Sequence, residues 1–205
     1  MDESSNIGSS PTPVMPEIHP QQAALQKLKV DRDVLGVEAV TDRFRMFDRP
    51  RPYVTVIGFA VDSMGRFPIF RRSDKVRSAK NAWSMPSGLH EVGYTHEEQF
   101  GAELSEELGL TIIPGTCRKI GFYEAIIYGR DGEDNWHWVL LMMAMRVRSL
   151  ENIQNREPDK HSDIQVVTTQ ELYGLYMKKP WTMNLKEALL EHRLIIDNVV
   201  RSSSI

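Results

Sequence analysis

Three glutamates, Glu103, Glu106 and Glu107, are spaced so that a helix would place them on one side. Because an α-helix turns about 100° per residue, their carboxylates fall within about one quadrant of its circumference. Carboxylate oxygens suit Mg²⁺, which keeps several waters and often completes its shell with substrate phosphates. Glutamates at this spacing are also common on a solvated helix face, so the trio alone does not indicate a metal site.

The stretch around these glutamates, residues 88–110, contains six glutamates and no Lys or Arg. Thr95 followed by Glu98 is a capping-box pattern that predicts where a helix begins, and Gly109 predicts where it ends. An apolar stripe that would face a sheet lies roughly a quarter-turn from the glutamates and consists of Phe100, Leu104 and Leu108. The carboxylates are therefore expected to stand beside the buried stripe, close enough to converge on a cation.

The predicted helix must pack on strands, and apolar runs before and after it in the sequence predict where these strands lie. Residues 53–61 are β-branched and apolar, which predicts a buried central strand, and residues 67–72 are predicted to return as its hairpin partner. Residues 119–129 and 136–147 flank a turn-rich segment and predict a second hairpin, and residues 184–199 predict a closing amphipathic helix. Strands mixed with helices indicate an α/β sandwich with a mixed sheet.

The composition indicates one globular domain with a tail. The chain has 205 residues, 25 Lys and Arg against 28 Asp and Glu, and a net charge of −3, which excludes a globally basic nucleic-acid binder. Residues 1–20 are rich in Ser and Pro with few apolar anchors, and this predicts a flexible N-terminal tail. Residues 21–205 are predicted to form the single domain.

The sequence predicts a cytoplasmic protein that does not associate with membranes. The single cysteine, Cys117, cannot form an intramolecular disulfide, which suits a reducing compartment. The first 26 residues contain no Lys or Arg, unlike a secretory signal or a mitochondrial transit peptide. The longest apolar run, residues 138–145, is far shorter than the roughly 20 residues that span a bilayer.

The combined pattern resembles the signature box of the Nudix hydrolases. That box runs Gly, five residues, Glu, seven residues, then Arg-Glu-aliphatic-x-Glu-Glu-x-Gly-aliphatic. The residues of this chain that match in register are Gly88, Glu103, Leu104, Glu106, Glu107, Gly109 and Leu110. Trp83 and Pro86 also match the family's approach to the box. The resemblance spans about residues 50–175 and implies a Nudix-type α/β/α sandwich with a mixed β-sheet.

Two positions depart from the family pattern. Tyr94 stands where the family has its first Glu, and Ala102 stands where it has Arg. In the family these two residues mostly support the loop–helix geometry and orient the next glutamate, here Glu103. Losing both partners of a buried charge pair together can be nearly neutral, so the double change is compatible with an intact fold. The Tyr94 ring is predicted to pack near Ala102.

The resemblance implies a pyrophosphohydrolase that acts with Mg²⁺ or Mn²⁺ on a nucleoside diphosphate linked to another group. By residue-to-residue match, Glu103, Glu106 and Glu107 would be the catalytic, metal-holding carboxylates, and the backbone carbonyl of Ser87 would be a further ligand. Family members often recruit another carboxylate outside the box, and three candidates stay open: Glu157, Asp159 and Asp163. The remaining titratable candidates have no metal-binding spacing and are predicted to be surface or core residues: His90, His96, His137 and His161.

Substrate contacts are predicted from three residues. Arg71 or Arg72 would bind phosphate, because guanidinium forks suit phosphate oxygens. Tyr128 resembles a tyrosine used to sort dinucleoside polyphosphate hydrolases within the family. The expected partner is a small nucleotide or diphosphate, nucleic acid is not expected, and homodimer formation is left open.

A second class of function competes with the enzyme. Tyr94 and Ala102 favour a Nudix-fold protein that binds a nucleotide or a partner with weak turnover or none. The intact trio of Glu103, Glu106 and Glu107 favours the enzyme, because a pure binding module would not need three clustered carboxylates.

Overall fold

A computed structural model of the chain describes residues 52–127, 136–182 and 185–203. The predicted tail (1–20), residues 21–51 and Tyr128 lie outside the described residues. The described elements are, in chain order, β1 (Tyr53–Val61), β2 (Phe67–Arg72), β3 (Trp83–Ser84), β4 (Ser87–Leu89), α1 (His96–Leu108), β5 (Arg118–Ile127), β6 (Trp136–Arg146), β7 (His161–Val167), α2 (Thr169–Tyr176), α3 (Leu185–Glu191) and α4 (Arg193–Ser203).

The strands form two sheets. The first has the order β4-β1-β6-β5, and it is mixed, because β1 runs parallel to β6 while the other pairs are antiparallel. The second has the order β3-β2-β7 and is antiparallel throughout. The predicted mixed sheet, the central position of β1 and the antiparallel pairing of β5 with β6 are confirmed.

The predicted hairpin between β1 and β2 is wrong. The turn itself is present, since the Asp62 carboxylate accepts hydrogen bonds of 2.9 Å from the backbone N–H groups of Met64 and Arg66. The two strands then diverge into different sheets, because β4 and β6 occupy the edges of β1 and β7 pairs with β2. A turn signal in a sequence reports a reversal of the chain but not the pairing on either side of it.

Helices cover both faces of the strands, as an α/β/α sandwich requires. Alternate residues of β1 point to opposite sides. Val56 and Ala60 join the core under α1, whereas Ile57 and Phe59 join the core formed with α2, α3 and α4. Residue 70 of β2, a phenylalanine, packs into the α1 core, so the second sheet reaches the same helix.

Helix α1 has the ends and the buried face that its sequence predicts. Thr95 and Glu98 form both hydrogen bonds of a capping box, and Gly109 ends the helix in the left-handed conformation with φ 67°. The apolar stripe is fully buried and consists of Phe100, Leu104 and Leu108. The predicted closing helix instead forms two, α3 and α4, on either side of His192. Among the described residues, no helix has the length and apolar character needed to cross a bilayer.

Candidate active site

The three box glutamates lie on the side of α1 where its buried face meets solvent. Glu107 is buried, with 5% of its surface exposed, Glu103 is half-buried and Glu106 is exposed. This difference in exposure among the three glutamates follows from the helix repeat, because Glu107 comes three residues after Leu104 and immediately before Leu108. The helix thus carries one carboxylate into the interior while its neighbours stay near solvent.

Strand β4, which precedes α1, touches these carboxylates through its backbone. The Ser87 N–H donates to Glu107 Oε2 at 3.3 Å. A Cβ placed on Gly88 would overlap the carboxyl group of Glu103, so only glycine allows that group to lie against the backbone. The glycine that begins the box is therefore required by the position of Glu103.

Gln99 orients Glu103, a role that the sequence did not predict. Its Nε2 donates to Glu103 Oε1 at 2.9 Å, and its Oε1 accepts from the Glu91 N–H at 3.1 Å. The buried Gln99 side chain thereby links the preceding loop to the helix. Its spacing, four residues before Glu103, was the available signal, since residues so spaced are neighbours on a helix. Tyr94 is half-buried, and the packing of its ring near Ala102 stays a prediction.

The segment after β6 folds onto the end of α1. The N–H groups of Gln154 and Arg156 donate to the carbonyls of Leu108 and Glu107, at 3.1 and 3.0 Å. Arg156 Nη1 donates to a further carbonyl, that of Ser105, at 3.1 Å. These bonds satisfy carbonyls that a helix end leaves without partners. They also bring the next residue, 157, to the buried glutamate.

Glu107, Glu157 and His161 form a tight group. One ligand atom from each residue lies within 4.8 Å of the others, and within the described ranges this is the one group of His, Cys, Asp and Glu that could hold a metal ion. His161 Nε2 lies 3.4 Å from Glu107 Oε1 and 3.9 Å from Glu157 Oε2. Among the three carboxylates left open by the sequence, Glu157 is the one in this group. Asp159 instead pairs with Lys75, and Asp163 is exposed on β7.

Burial makes these groups reluctant to ionise. It raises the pKa of Glu107 to about 8, with repulsion from Glu157 as the second cause. Burial also raises the pKa of Glu103 to about 7 and lowers the pKa of His161 to about 4. A buried carboxyl with a raised pKa beside a neutral imidazole, as at Glu107 and His161, is an arrangement that a bound cation would stabilise.

The donor atoms fit a divalent cation. Oxygens of Glu107 and Glu157 lie together with His161 at the end of α1, whereas Glu103 and Glu106 are not in this group. Glu157 Oε2 and both ring nitrogens of His161 are buried without a hydrogen-bond partner in the described structure. Buried polar atoms usually have a partner, and a cation bound between Glu157 Oε2 and His161 Nε2 would provide one for both atoms.

The two predicted phosphate-binding arginines lie in different places. Arg72 is half-buried on the side of the glutamates, where burial lowers its pKa and the charge of Glu107 opposes that effect. Its Nε donates to the Ser78 carbonyl at 3.2 Å. Arg71 is exposed and lines a groove of about 400 Å³ together with Trp83 and Lys179. The strand alternation thus separates the two guanidinium groups.

The order of the elements and the placement of the glutamate-bearing helix define the class of fold. A mixed sheet lies between α1 and the C-terminal helices, and a glycine-containing loop leads into α1. The chain has the Nudix fold.

Three solved structures show this likeness. A MutT Nudix hydrolase from Burkholderia pseudomallei has a TM-score of 0.53 and 20% identity, over 72% of this chain and 98% of that chain. A MutT protein from Methanosarcina mazei Go1 has a TM-score of 0.53 and 16% identity, over 78% and 99% of the two chains. A UDP-X diphosphatase has a TM-score of 0.50 and 16% identity, over 89% and 81%. No family model and no curated protein matches the sequence.

Proposed function

We propose that this chain hydrolyses a phosphoanhydride bond in a nucleoside diphosphate linked to another group, with Mg²⁺ or Mn²⁺ as cofactor. The observation that carries the proposal is the buried Glu107 carboxyl, grouped at the end of α1 with Glu157 and with the neutral imidazole of His161. The names of two structural neighbours, a Nudix hydrolase and a UDP-X diphosphatase, agree with this class of reaction.

The cation would be held by the side chains of Glu103, Glu106 and Glu107 and by the carbonyl of Ser87, with Glu157 as the additional carboxylate. When bound, it would neutralise phosphate charge and lower the pKa of the attacking water. Glu107 and Glu157 are close enough to act together, whereas the exposed Glu106 would need a shift of its flexible side chain.

The chain's own groups position the substrate and the carboxylates. Arg72 lies on the same side as Glu107, and its guanidinium would bind a phosphate there. Arg71 would contact a more distant part of the substrate, because it faces the groove with Trp83. Gln99 fixes Glu103 through a 2.9 Å hydrogen bond, and this supplies the orientation that the family draws from the residue at position 102.

Gln99 is the reason to prefer an enzyme over a protein that only binds nucleotide. The replacements at Tyr94 and Ala102 favour the binding protein only if they leave Glu103 unsupported. The hydrogen bonds of Gln99 to Glu103 and to the Glu91 N–H provide that support by another route.

A substrate panel tests the proposal. It would contain nucleoside triphosphates, ADP-ribose, dinucleoside polyphosphates and nucleotide sugars, each with Mg²⁺ or Mn²⁺ and without either cation. Cation-dependent turnover of at least one compound is expected, with loss of turnover in Glu107→Gln and normal turnover in Glu191→Gln, an exposed control on α3. Nucleotide binding with no turnover would establish the binding protein instead, and turnover that survives Glu107→Gln would remove the metal assignment.

A further inference from the structure

His161 lies between two carboxylates without bonding to either. It is the first residue of β7 and is 4% exposed. Its ring stacks on Phe70 with a centroid distance of 4.2 Å, which fixes the plane of the imidazole. Nε2 is directed at Glu107 and Glu157, at 3.4 and 3.9 Å, yet neither ring nitrogen makes a hydrogen bond to the described residues.

A purely structural histidine would be expected to use at least one ring nitrogen. Buried polar side chains nearly always find a partner, because an unpaired group loses its hydration without compensation. The imidazole lone pair is, however, a ligand for metal ions, and it suits first-row transition cations better than it suits Mg²⁺, which prefers oxygen. A cation bound to Nε2 would therefore give this nitrogen a partner and would also neutralise the two nearby carboxylates.

We propose that His161 binds the catalytic cation directly through Nε2, together with Glu107 and Glu157, and that this ligand makes the site prefer Mn²⁺ over Mg²⁺. The inference rests on the cation site of the proposed function and adds to it a nitrogen ligand that the box does not contain. The three ligand atoms already lie within 4.8 Å of one another. In an octahedral shell with bonds of about 2.1 Å, opposite ligands are about 4.2 Å apart, so small side-chain movements would complete the site.

Pulsed electron paramagnetic resonance on the full chain with Mn²⁺ tests the direct bond. Echo-envelope modulation from a ¹⁴N nucleus is expected in the wild-type protein and should disappear in His161→Gln. His96→Gln is the matched control, since His96 is a half-buried histidine that packs edge-on against His90. It should keep the signal. Absence of nitrogen modulation in the wild-type protein would overturn the proposal without any variant, so a folding defect in His161→Gln cannot hide the answer.

Titration calorimetry with each cation alone tests the preference. His161→Gln is expected to weaken Mn²⁺ binding by about tenfold or more and Mg²⁺ binding much less, so that the preference for Mn²⁺ falls. Equal losses for the two cations, in a variant whose melting curve matches the wild type, would refute a nitrogen ligand. No substrate is present in either measurement, so failure to hydrolyse the panel leaves this test standing. Hydrolysis without nitrogen modulation would remove this inference alone.

Discussion

The two ends of α1 use the same residue type for opposite purposes. At the beginning, Glu98 Oε2 accepts a 3.0 Å hydrogen bond from the Thr95 N–H, and Thr95 Oγ1 accepts one of 3.2 Å from the Glu98 N–H. At the end, Glu107 is buried against Glu157 and, among the described residues, accepts one hydrogen bond, of 3.3 Å from the Ser87 N–H. Glu98 caps the beginning of the helix, whereas Glu107 is held in a buried environment that disfavours its charged form.

The helix dipole sharpens this difference. Negative charge is favourable at the positive beginning of a helix and unfavourable at its negative end, and the last turn of α1 contains no basic residue. Glu171 in the second capping box, at α2, shows the favourable case, since hydrogen bonds from the backbone and hydroxyl of Thr168 lower its pKa. The contrast shows that α1 gains stability at its beginning and carries a potential cation site at its end.

Replacing Glu107 and Glu98 by glutamine, one at a time, should separate the catalytic role from the helix-capping role most clearly. Glu107→Gln is expected to reduce cation-dependent kcat/KM by about a thousandfold, equivalent to about 4 kcal/mol of transition-state stabilisation, because it removes a charged ligand. The melting temperature without cation should not fall, because the variant no longer buries an ionisable carboxyl. Glu98→Gln should keep its activity. Comparable kinetic losses in the two variants would contradict the division of roles.

Gly88→Ala tests the close approach of strand β4 to the site. The added methyl would overlap the Glu103 carboxyl and force it away, and we expect cation affinity to fall by about tenfold or more. Gly174→Ala in α2 is the matched control, because a Cβ there meets nothing within 4 Å and alanine is the better helix former. Unchanged cation binding in Gly88→Ala, measured by calorimetry, would mean that Glu103 is not a ligand.

The stability of the cation-free protein should depend on pH in a direction set by Glu107 and Glu103. Their folded pKa values, about 8 and about 7, lie above the ordinary value of 4.5. The folded state therefore keeps protons that the unfolded state releases, and stability falls as pH rises from about 4.5 to the folded values and levels off above them. Between pH 7 and pH 9 we expect a loss of about 1 kcal/mol from Glu107, or about 3 °C in melting temperature.

Two measurements check this pH trend. In Glu107→Gln the loss between pH 7 and pH 9 should shrink, and with saturating Mn²⁺ it should vanish or reverse, because the cation binds the deprotonated carboxylates. His161 is neutral in the folded state over this range, and because its ordinary pKa is 6.5 its contribution between pH 7 and pH 9 should be no more than a few tenths of a kcal/mol. A wild-type protein that gains stability from pH 7 to pH 9 without cation would contradict the raised pKa values.

The smallest effect is expected at the capping boxes. Thr95→Ala removes the side-chain acceptor of the Glu98 N–H and should cost about 1 kcal/mol of unfolding free energy without changing kcat. Thr168→Ala removes the corresponding bond at α2 and should cost a similar amount. Chemical denaturation measures both. A large kinetic defect in Thr95→Ala would show that the two ends of α1 are coupled rather than independent.

Local features of this chain could be predicted from the sequence because their signals lie within a few residues. The capping box at Thr95, the C-terminal Gly109 and the buried stripe of α1 are of this kind, and all are confirmed. The pairing of β2 could not be predicted, since its partner β7 lies about ninety residues further along the chain.

The candidate site likewise has one part that could be predicted from local sequence and one part that could not. The box glutamates follow from spacing, whereas the positions of Glu157 and His161 depend on a segment that folds back onto the helix from fifty residues away. The assignment of ligands and substrate-binding residues, including Tyr128, stays a prediction, as do the cytoplasmic location and the tail.

The hydrogen bonds that join residues 154–156 to the end of α1 have a consequence for local unfolding. The amides of Gln154 and Arg156 can exchange with solvent only when this segment lifts from the helix, and that movement would also separate Glu157 from Glu107. A cation shared by the two carboxylates would oppose the opening. The exchange rates of these two amides would then report the occupancy of the site from outside it, because bound cation adds to the local stability of this segment by an amount set by its affinity.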